Sequence, residues 1–296
     1  MKDHEYLASE LGLLLGELRY LSENPGLFYL FRRINTGKKL RTLRIPKGRL
    51  AAALAAVKEK LLDRMPLPES VHGWRKGRSP KTYGQPHVGR AAVVNCDIQD
   101  FFPSVSAGRV YGFWMSAGYD AEASKTLTRL TTIDNQLPQG SITSAALGNL
   151  VLAKLHRRLG NLARLHDLRY SSYGDEFSMS GRRRVTRLKG LMIKIVEQEG
   201  FKVNPSKVKV MERHERQELA GNVVNRKLSR GRSEYRELRA IIHNCAKSDP
   251  QAQNLSGHPN FEAHLRGRIA QFQFTNAELG AKLLAKFDQI IWPEAT

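Results

Sequence analysis

The chain has 296 residues, 41% of them hydrophobic, which is enough to build a buried core and excludes wholesale disorder. It carries 48 Lys and Arg against 28 Asp and Glu, a formal net charge of +20, and an excess of that size points to a polyanionic partner, nucleic acid first. The basic residues are scattered instead of forming one amphipathic anchor, and no apolar run approaches the roughly 20 residues of a membrane span, so no membrane partner is expected. Cys96 and Cys245 are dispersed and form no CxxC motif, and Met1-Lys2-Asp3-His4-Glu5 lacks the layout of a signal peptide; a cytoplasmic protein is expected.

In chain order, Leu7, Leu11, Leu14, Leu15 and Leu18 fall at helical spacing and predict one amphipathic helix over 6–21. From Phe31 to Ile45, apolar residues alternate with Arg32, Arg33, Lys38, Lys39, Arg41 and Arg44 around Gly37, the pattern of a basic hairpin. Pro46 heads a run with Leu50, Leu54, Val57 and Leu61 and predicts a helix starting there. Val93-Val94-Asn95-Cys96-Asp97 reads as a short apolar strand running into an acid, followed by Phe101-Phe102-Pro103. Leu137-Pro138-Gln139-Gly140 is a loop that enters a single long helix reaching Leu165. Leu168 to Tyr173 and Phe177 to Ser180 are strand-like, and Gly174-Asp175 between them is a hairpin signal that places Asp175 and Glu176 at the tip. A helix over 182–199 ended by Gly200, a strand over 207–211 and helices over 261–272 and 277–291 complete the pattern.

Two adjacent carboxylates repel each other, so a fold that keeps Asp175 and Glu176 together does so with a hard divalent cation or a basic partner. Asp97 is the candidate third carboxylate. Taken singly, an Asp-Glu pair at a turn is a solvated turn and an Asp at a strand end is a helix cap; it is the conjunction with the neighbouring segments that carries the chemistry.

An acid followed by two Phe, then Leu137-Pro138-Gln139-Gly140 with Thr143-Ser144 and Gly148-Asn149, then Tyr173-Gly174-Asp175-Glu176, resembles the palm of reverse transcriptases. His72-Gly73-Trp74-Arg75-Lys76-Gly77-Arg78-Ser79, Pro86-His87-Val88-Gly89 and Gly221-Asn222-Val223-Val224-Asn225 are similar to segments of the bacterial retron-type branch, in the right order from about Gly37 onward. The resemblance implies an α+β fold in the right-hand polymerase architecture, with fingers, a palm of antiparallel sheet plus helices, and a helical thumb. Residues 1–90 would be the N-terminal helix and fingers, 91–225 the palm with some fingers elements, and 226–296 the thumb.

In function, the resemblance implies an RNA-directed DNA polymerase that copies part of a structured noncoding RNA into single-stranded DNA by two-metal nucleotidyl transfer, in antiphage defence. Asp97, Asp175 and Glu176 would be catalytic and hold two Mg²⁺ ions, with Mn²⁺ as a substitute. Lys39, Arg41, Arg78, Phe102, Gln139 and Lys207 would meet the incoming dNTP, Phe102 as the aromatic gate against a 2′-hydroxyl and Lys207 near the triphosphate. Arg226, Lys227 and Arg230 would bind RNA. The implied partners are the noncoding RNA, its single-stranded DNA product, dNTPs and an effector protein. The chain departs from the retron pattern in several places. Glu176 stands where Asp is usual, and Tyr83-Gly84-Gln85-Pro86-His87 keeps only the His of Asn-Ala-x-x-His. Leu219-Ala220-Gly221 replaces Val-Thr-Gly, and Ile142-Thr143-Ser144-Ala145 replaces Pro-Thr-Ser-Pro. Two other readings stay open: another defence-associated or intron-like reverse transcriptase, and a catalytically weak palm scaffold that binds RNA and a partner protein.

Overall fold

The computed structural model describes residues 2–35 and 40–293. Two short helices come first, His4–Leu11 and Leu15–Glu23. The single helix expected over 6–21 is broken because Gly12 adopts φ +73° and turns its N–H back to the carbonyl of Ser9, a left-handed cap that ends the first helix. Of the leucines that set the spacing, Leu7, Leu11 and Leu18 are buried and Leu15 is half-buried, but Leu14, in the break between the two helices, is exposed.

The basic hairpin is present as strands β1 (Tyr29–Asn35) and β2 (Leu40–Pro46), paired antiparallel from Tyr29–Pro46 to Asn35–Leu40. Pro46 therefore closes a strand and does not open a helix; as the terminal residue of an edge strand it withholds no needed ladder donor, and the next helix begins at Gly48.

The centre is a four-stranded antiparallel sheet built from β3 (Ala92–Asp97), β4 (Arg169–Tyr173), β5 (Glu176–Gly181) and β6 (Lys209–Glu212), in the order β4-β5-β3-β6. Directly opposed residues share a face, so the register Asn95–Ser178, Asp97–Glu176 and Ser171–Ser178 sorts the side chains into two layers. One face carries Ala92, Val94, Cys96, Phe177, Met179 and Tyr170 and packs into the main core. The other carries Asn95, Asp97, Ser171, Glu176, Ser178 and Ser180, and is covered by the short helix Pro80–Gly84 and the turn Gln85–His87. A buried sheet face made of serines and an asparagine needs partners for every hydroxyl and amide, and Tyr83 and His87 supply them.

The main core runs without interruption from Leu7 to Val203, so the first 62 residues share it with the central sheet. A separate core, with Leu238, Ile242, Phe261, Leu265, Ile269, Phe272, Leu283 and Phe287, joins the helices Arg232–Lys247, Phe261–Thr275 and Ala277–Phe287. Arg232, Arg236 and Arg239 lie within the first of these helices.

Three further boundaries differ from expectation. The helix predicted to reach Leu165 is two, Ser144–Val151 and Ala153–Leu165, with the break at Leu152, whose ψ is 0°. The helix over 182–199 opens as a 3₁₀ segment, Arg183–Leu188, before Lys189–Gln198. The strand expected from Lys207 starts at Lys209, since Asn204-Pro205 launches a 3₁₀ turn whose N-cap Asn204 side chain accepts from the Ser206 amide.

Candidate active site

Asp97 ends β3, and the Gly174-Asp175 turn joins β4 to β5 beside it. The two are tied through the backbone: Ile98 N–H donates to the Asp175 carbonyl at 3.0 Å, and Asn204 N–H donates to the Asp97 carbonyl at 2.8 Å. Gly174 takes φ +66°, which a glycine adopts at no steric cost. A Cβ there would also meet the indole of Trp74 at 2.9 Å.

Asp175 is pushed up to about 6, first by burial and then by the charge of Asp97, against the opposing pull of its backbone hydrogen bond and Lys207. Lys207 Nζ donates to Asp97 Oδ2 at 2.8 Å. Burial works against the Lys207 charge, but the hydrogen bond to Asp97 and the charges of Asp97, Asp175 and Glu176 outweigh it and raise its pKa. Asp97 and Asp175 thus form a pair of hard oxygen donors close enough to repel, already drawing a cation to one of them, which is the donor chemistry that suits Mg²⁺.

Glu176 is placed differently from the turn tip expected. It is the first residue of β5, paired across the ladder with Asp97 and with Tyr173. Its Oε1 accepts from Tyr83 Oη at 2.9 Å and from Asn95 Nδ2 at 2.6 Å. With that carboxylate committed to neutral donors, no group of three or more His, Cys, Asp or Glu that could hold a metal ion forms among the described residues.

The remaining expected residues divide into two sets. Phe102 follows the β3 end on the short helix Phe101–Ser104, half-buried, with its ring 5.2 Å from that of Trp74 and 5.4 Å from Phe101. Gln139 is half-buried in a loop that docks on the basic hairpin, where Arg44 N–H donates to the Gln139 carbonyl at 2.6 Å and the Arg44 guanidinium pairs with Asp134 at 2.9 Å. Arg41 is exposed on β2. Lys39 lies outside the described residues. Arg78 is held by Glu69 in an ion pair. Arg226 and Lys227 are exposed, whereas Arg230 is paired with Glu234 at 2.7 Å and packed against Gly221.

Sequence reasoning missed the layer beneath the acids. Tyr83 is fully buried, and its hydroxyl meets Glu176 and, at 2.7 Å, Ser178 Oγ. Asn95 Nδ2 donates also to Ser178 Oγ at 3.0 Å. His87 bridges Ser180 and Ser171, each at 2.6 Å, clamping β4 to β5. The available signal was the alternation of serines on strands that are buried on both faces. Also missed was the way the segment after Ser70 seals the β4 edge: His72 N–H donates to the Ser172 carbonyl at 2.9 Å, and Asn149 Nδ2 donates to the Gly73 carbonyl at 2.8 Å.

No protein-family model matches the chain. It is similar to the retron Mx65 reverse transcriptase of Myxococcus xanthus, 34% identical over 307 residues that cover 95% of this chain and 70% of the relative. It is 31% identical over 225 residues to the retron Ec86 reverse transcriptase of Escherichia coli, covering 74% of this chain and 70% of that one. Among solved structures, apo telomerase from Candida tropicalis superposes with a TM-score of 0.51 at 8% identity, over 88% of this chain and 58% of that one. At that identity the likeness speaks for the fold alone, and the fold is the expected α+β arrangement of a polymerase palm and helical thumb.

Proposed function

Since the chain belongs to the retron reverse transcriptases, RNA-directed DNA polymerases, we propose that it copies part of a structured noncoding RNA into single-stranded DNA at the site formed by Asp97 and Asp175. The observation that carries this is the convergence of the two acids at the β3 end and the β4–β5 turn, with Lys207 on one of them.

Asp97 and Asp175 would hold the divalent ions, Mg²⁺ or Mn²⁺, whose chemistry is to lower the pKa of the attacking hydroxyl and stabilise the leaving oxygens. Asp97 is fixed by β3 and Asp175 by its backbone bond to Ile98, so the ligands are preorganised by the sheet and not by the loop alone. Phe102, backed by Trp74, would stand against the sugar and exclude a 2′-hydroxyl. Gln139 and Arg41 would contact the incoming dNTP from the hairpin side. Lys207, half-exposed, would swing between Asp97 and the triphosphate, where its ammonium can donate a proton to the departing pyrophosphate. Arg78 would reach phosphate only on release from Glu69.

The division into fingers (1–90), palm (91–225) and thumb (226–296) is part of the same reading, supported by the separate helical core after Leu238. Arg226 and Lys227 would bind the RNA. A cytoplasmic setting, an effector partner and a role in antiphage defence follow from the family and complete the proposal. No helix among the described residues is long and apolar enough to cross a membrane.

Isolating the protein from its host and sequencing the copurified nucleic acid after separate RNase and DNase treatments tests the proposal. A short single-stranded DNA joined to a structured RNA is the expected result. RNA without any DNA would favour the scaffold reading.

A further inference from the structure

Two positions where the chain departs from the retron pattern lie 93 residues apart and touch. Tyr83 stands in place of the Asn of Asn-Ala-x-x-His, and Glu176 in place of the usual second Asp. Tyr83 Oη donates to Glu176 Oε1 at 2.9 Å, and the same oxygen accepts from Asn95 Nδ2 at 2.6 Å. Resting on the polymerase reading above, we propose that Glu176 is a positioning residue and not a metal ligand: Tyr83 and Asn95 hold its carboxylate in the polar layer under the sheet, where it sets the places of Asp97 and Asp175.

The chemistry favours this division of labour. A carboxylate accepting two hydrogen bonds at one oxygen makes charge-assisted bonds, the strong kind. Tyr83 has no exposed surface, so swinging Glu176 toward the other acids would cost its buried hydroxyl the charge-assisted bond and leave only the neutral Ser178 hydroxyl, at 2.7 Å, to meet it. The extra methylene of Glu over Asp gives the carboxylate reach, and the phenol comes from the covering helix Pro80–Gly84 to meet it. The two departures are in this sense one reciprocal change.

The position also explains how Glu176 acts at a distance. It is opposed to Asp97 across the β3–β5 ladder and adjacent in sequence to Asp175. Asn95, its second donor, lies two residues before Asp97 on the same face. Pinning one carboxylate therefore fixes the strand end and the turn that carry the two remaining acids, and misplacement of about 1 Å at a reacting centre costs about a hundredfold in rate.

The test has two arms. In metal-free protein, the folding equilibrium is measured by urea titration for Tyr83→Phe, Glu176→Ala and the double variant. Each single change is expected to lower the equilibrium constant about tenfold, and the double little more than either alone, since both remove one shared network. In the second arm, Glu176→Gln keeps an acceptor oxygen for Tyr83 and Asn95 but removes the charge. Its kcat is expected to stay within about tenfold of wild type, with the Mg²⁺ concentration for half-maximal rate unchanged. Additive effects in the first arm, or a hundredfold loss with a raised Mg²⁺ requirement in the second, would overturn the inference. The first arm needs no catalysis, so a wild type that fails to polymerise would sink the polymerase reading while leaving the Tyr83–Glu176 coupling to be judged separately.

Discussion

The ammonium of Lys207 sits 2.8 Å from Asp97 Oδ2, an ion pair between a residue on the Pro205–Lys207 turn and the last residue of β3. The lysine side chain is 54% exposed and the aspartate 9% exposed, so the charge that arrives from solvent is the mobile one and the carboxylate is the fixed one. Lys207 screens the repulsion between Asp97 and Asp175; under the proposed mechanism the same ammonium would compete with a divalent ion for Asp97.

Replacing Lys207 with Met separates these two roles. The maximal rate of dNTP incorporation is expected to fall about 10- to 100-fold, the scale of losing a general acid. The Mg²⁺ concentration for half-maximal rate is expected to move down, because the competing cation is gone. A steady-state Mg²⁺ titration of both proteins reads the two effects separately, and a requirement that moves up would contradict the competition.

The pH dependence of stability has a definite sign on the acid side. Burial lowers the pKa of His87 to about 3, with Arg90 and His72 adding to the shift, and that of His156 to about 4, from an ordinary 6.5. A folded pKa below the unfolded one means that the unfolded chain takes up protons first as the pH falls. The stability these two groups provide is complete above about pH 6.5 and is lost progressively toward about pH 4 and then 3. The two imidazoles together contribute up to about 2.7 kcal/mol per pH unit near pH 5, and Asp175, raised to about 6, titrates in the same window with the opposite sign and offsets about half of it, leaving a net fall toward acid. Urea titrations at pH 7, 6 and 5 should show the midpoint falling; a flat profile would mean that the two imidazoles are not both held neutral.

Gly73 is expected to be among the least replaceable residues away from the acids. A Cβ on it would press against the Gly174 amide nitrogen and lie 2.7 Å from the Tyr173 carbonyl carbon, both backbone atoms of the turn that carries Asp175. Gly73→Ala must therefore displace that turn, and an activity loss of about a hundredfold is expected, with destabilisation of about 1–3 kcal/mol. Thermal unfolding alongside incorporation assays checks both, and wild-type activity would show that the turn is free to shift.

Arg226 and Arg230 are expected to behave as different kinds of arginine. Replacing exposed Arg226 and Lys227 with Ala should leave stability nearly unchanged and weaken binding to structured RNA, reducing the slope of log affinity against log salt by about 0.7–0.9 per lost contact. Arg230→Ala removes a partner from Glu234 and the packing against Gly221, so it should lower the melting temperature and leave the salt slope in place. Filter binding across a salt series, with melting curves, separates the two.

Much of this was legible from residue order. Strand, acid and aromatic pair around Asp97, and strand, Gly-Asp, strand around Asp175, are local patterns, and the elements form where those patterns lie. Helix ends were less legible because they depend on single backbone conformations: Gly12 in the left-handed region, Leu152 at ψ 0°, and Pro46 tied to Tyr29 across a ladder. The layer of Tyr83, His87, Asn95 and Ser178 was legible only as alternating serines on the strands, without their partners. Its members come from segments about 80 to 95 residues apart, and a serine on a strand says nothing of its partner until the strands are paired. The same holds for Glu176, whose neighbour in sequence suggested a shared metal and whose neighbours in space are a phenol and an amide.

The central claim is that Asp97 and Asp175 run template-directed DNA synthesis, and incorporation of labelled dNTP on a primed, structured RNA with Mg²⁺ tests it most directly. Wild type should extend the primer with DNA, and Asp97→Asn and Asp175→Asn should each lower the rate by about a thousandfold or more, roughly 4 kcal/mol of barrier. Absence of incorporation by wild type with Mg²⁺ and with Mn²⁺ alike, or extension that survives both substitutions, would contradict it.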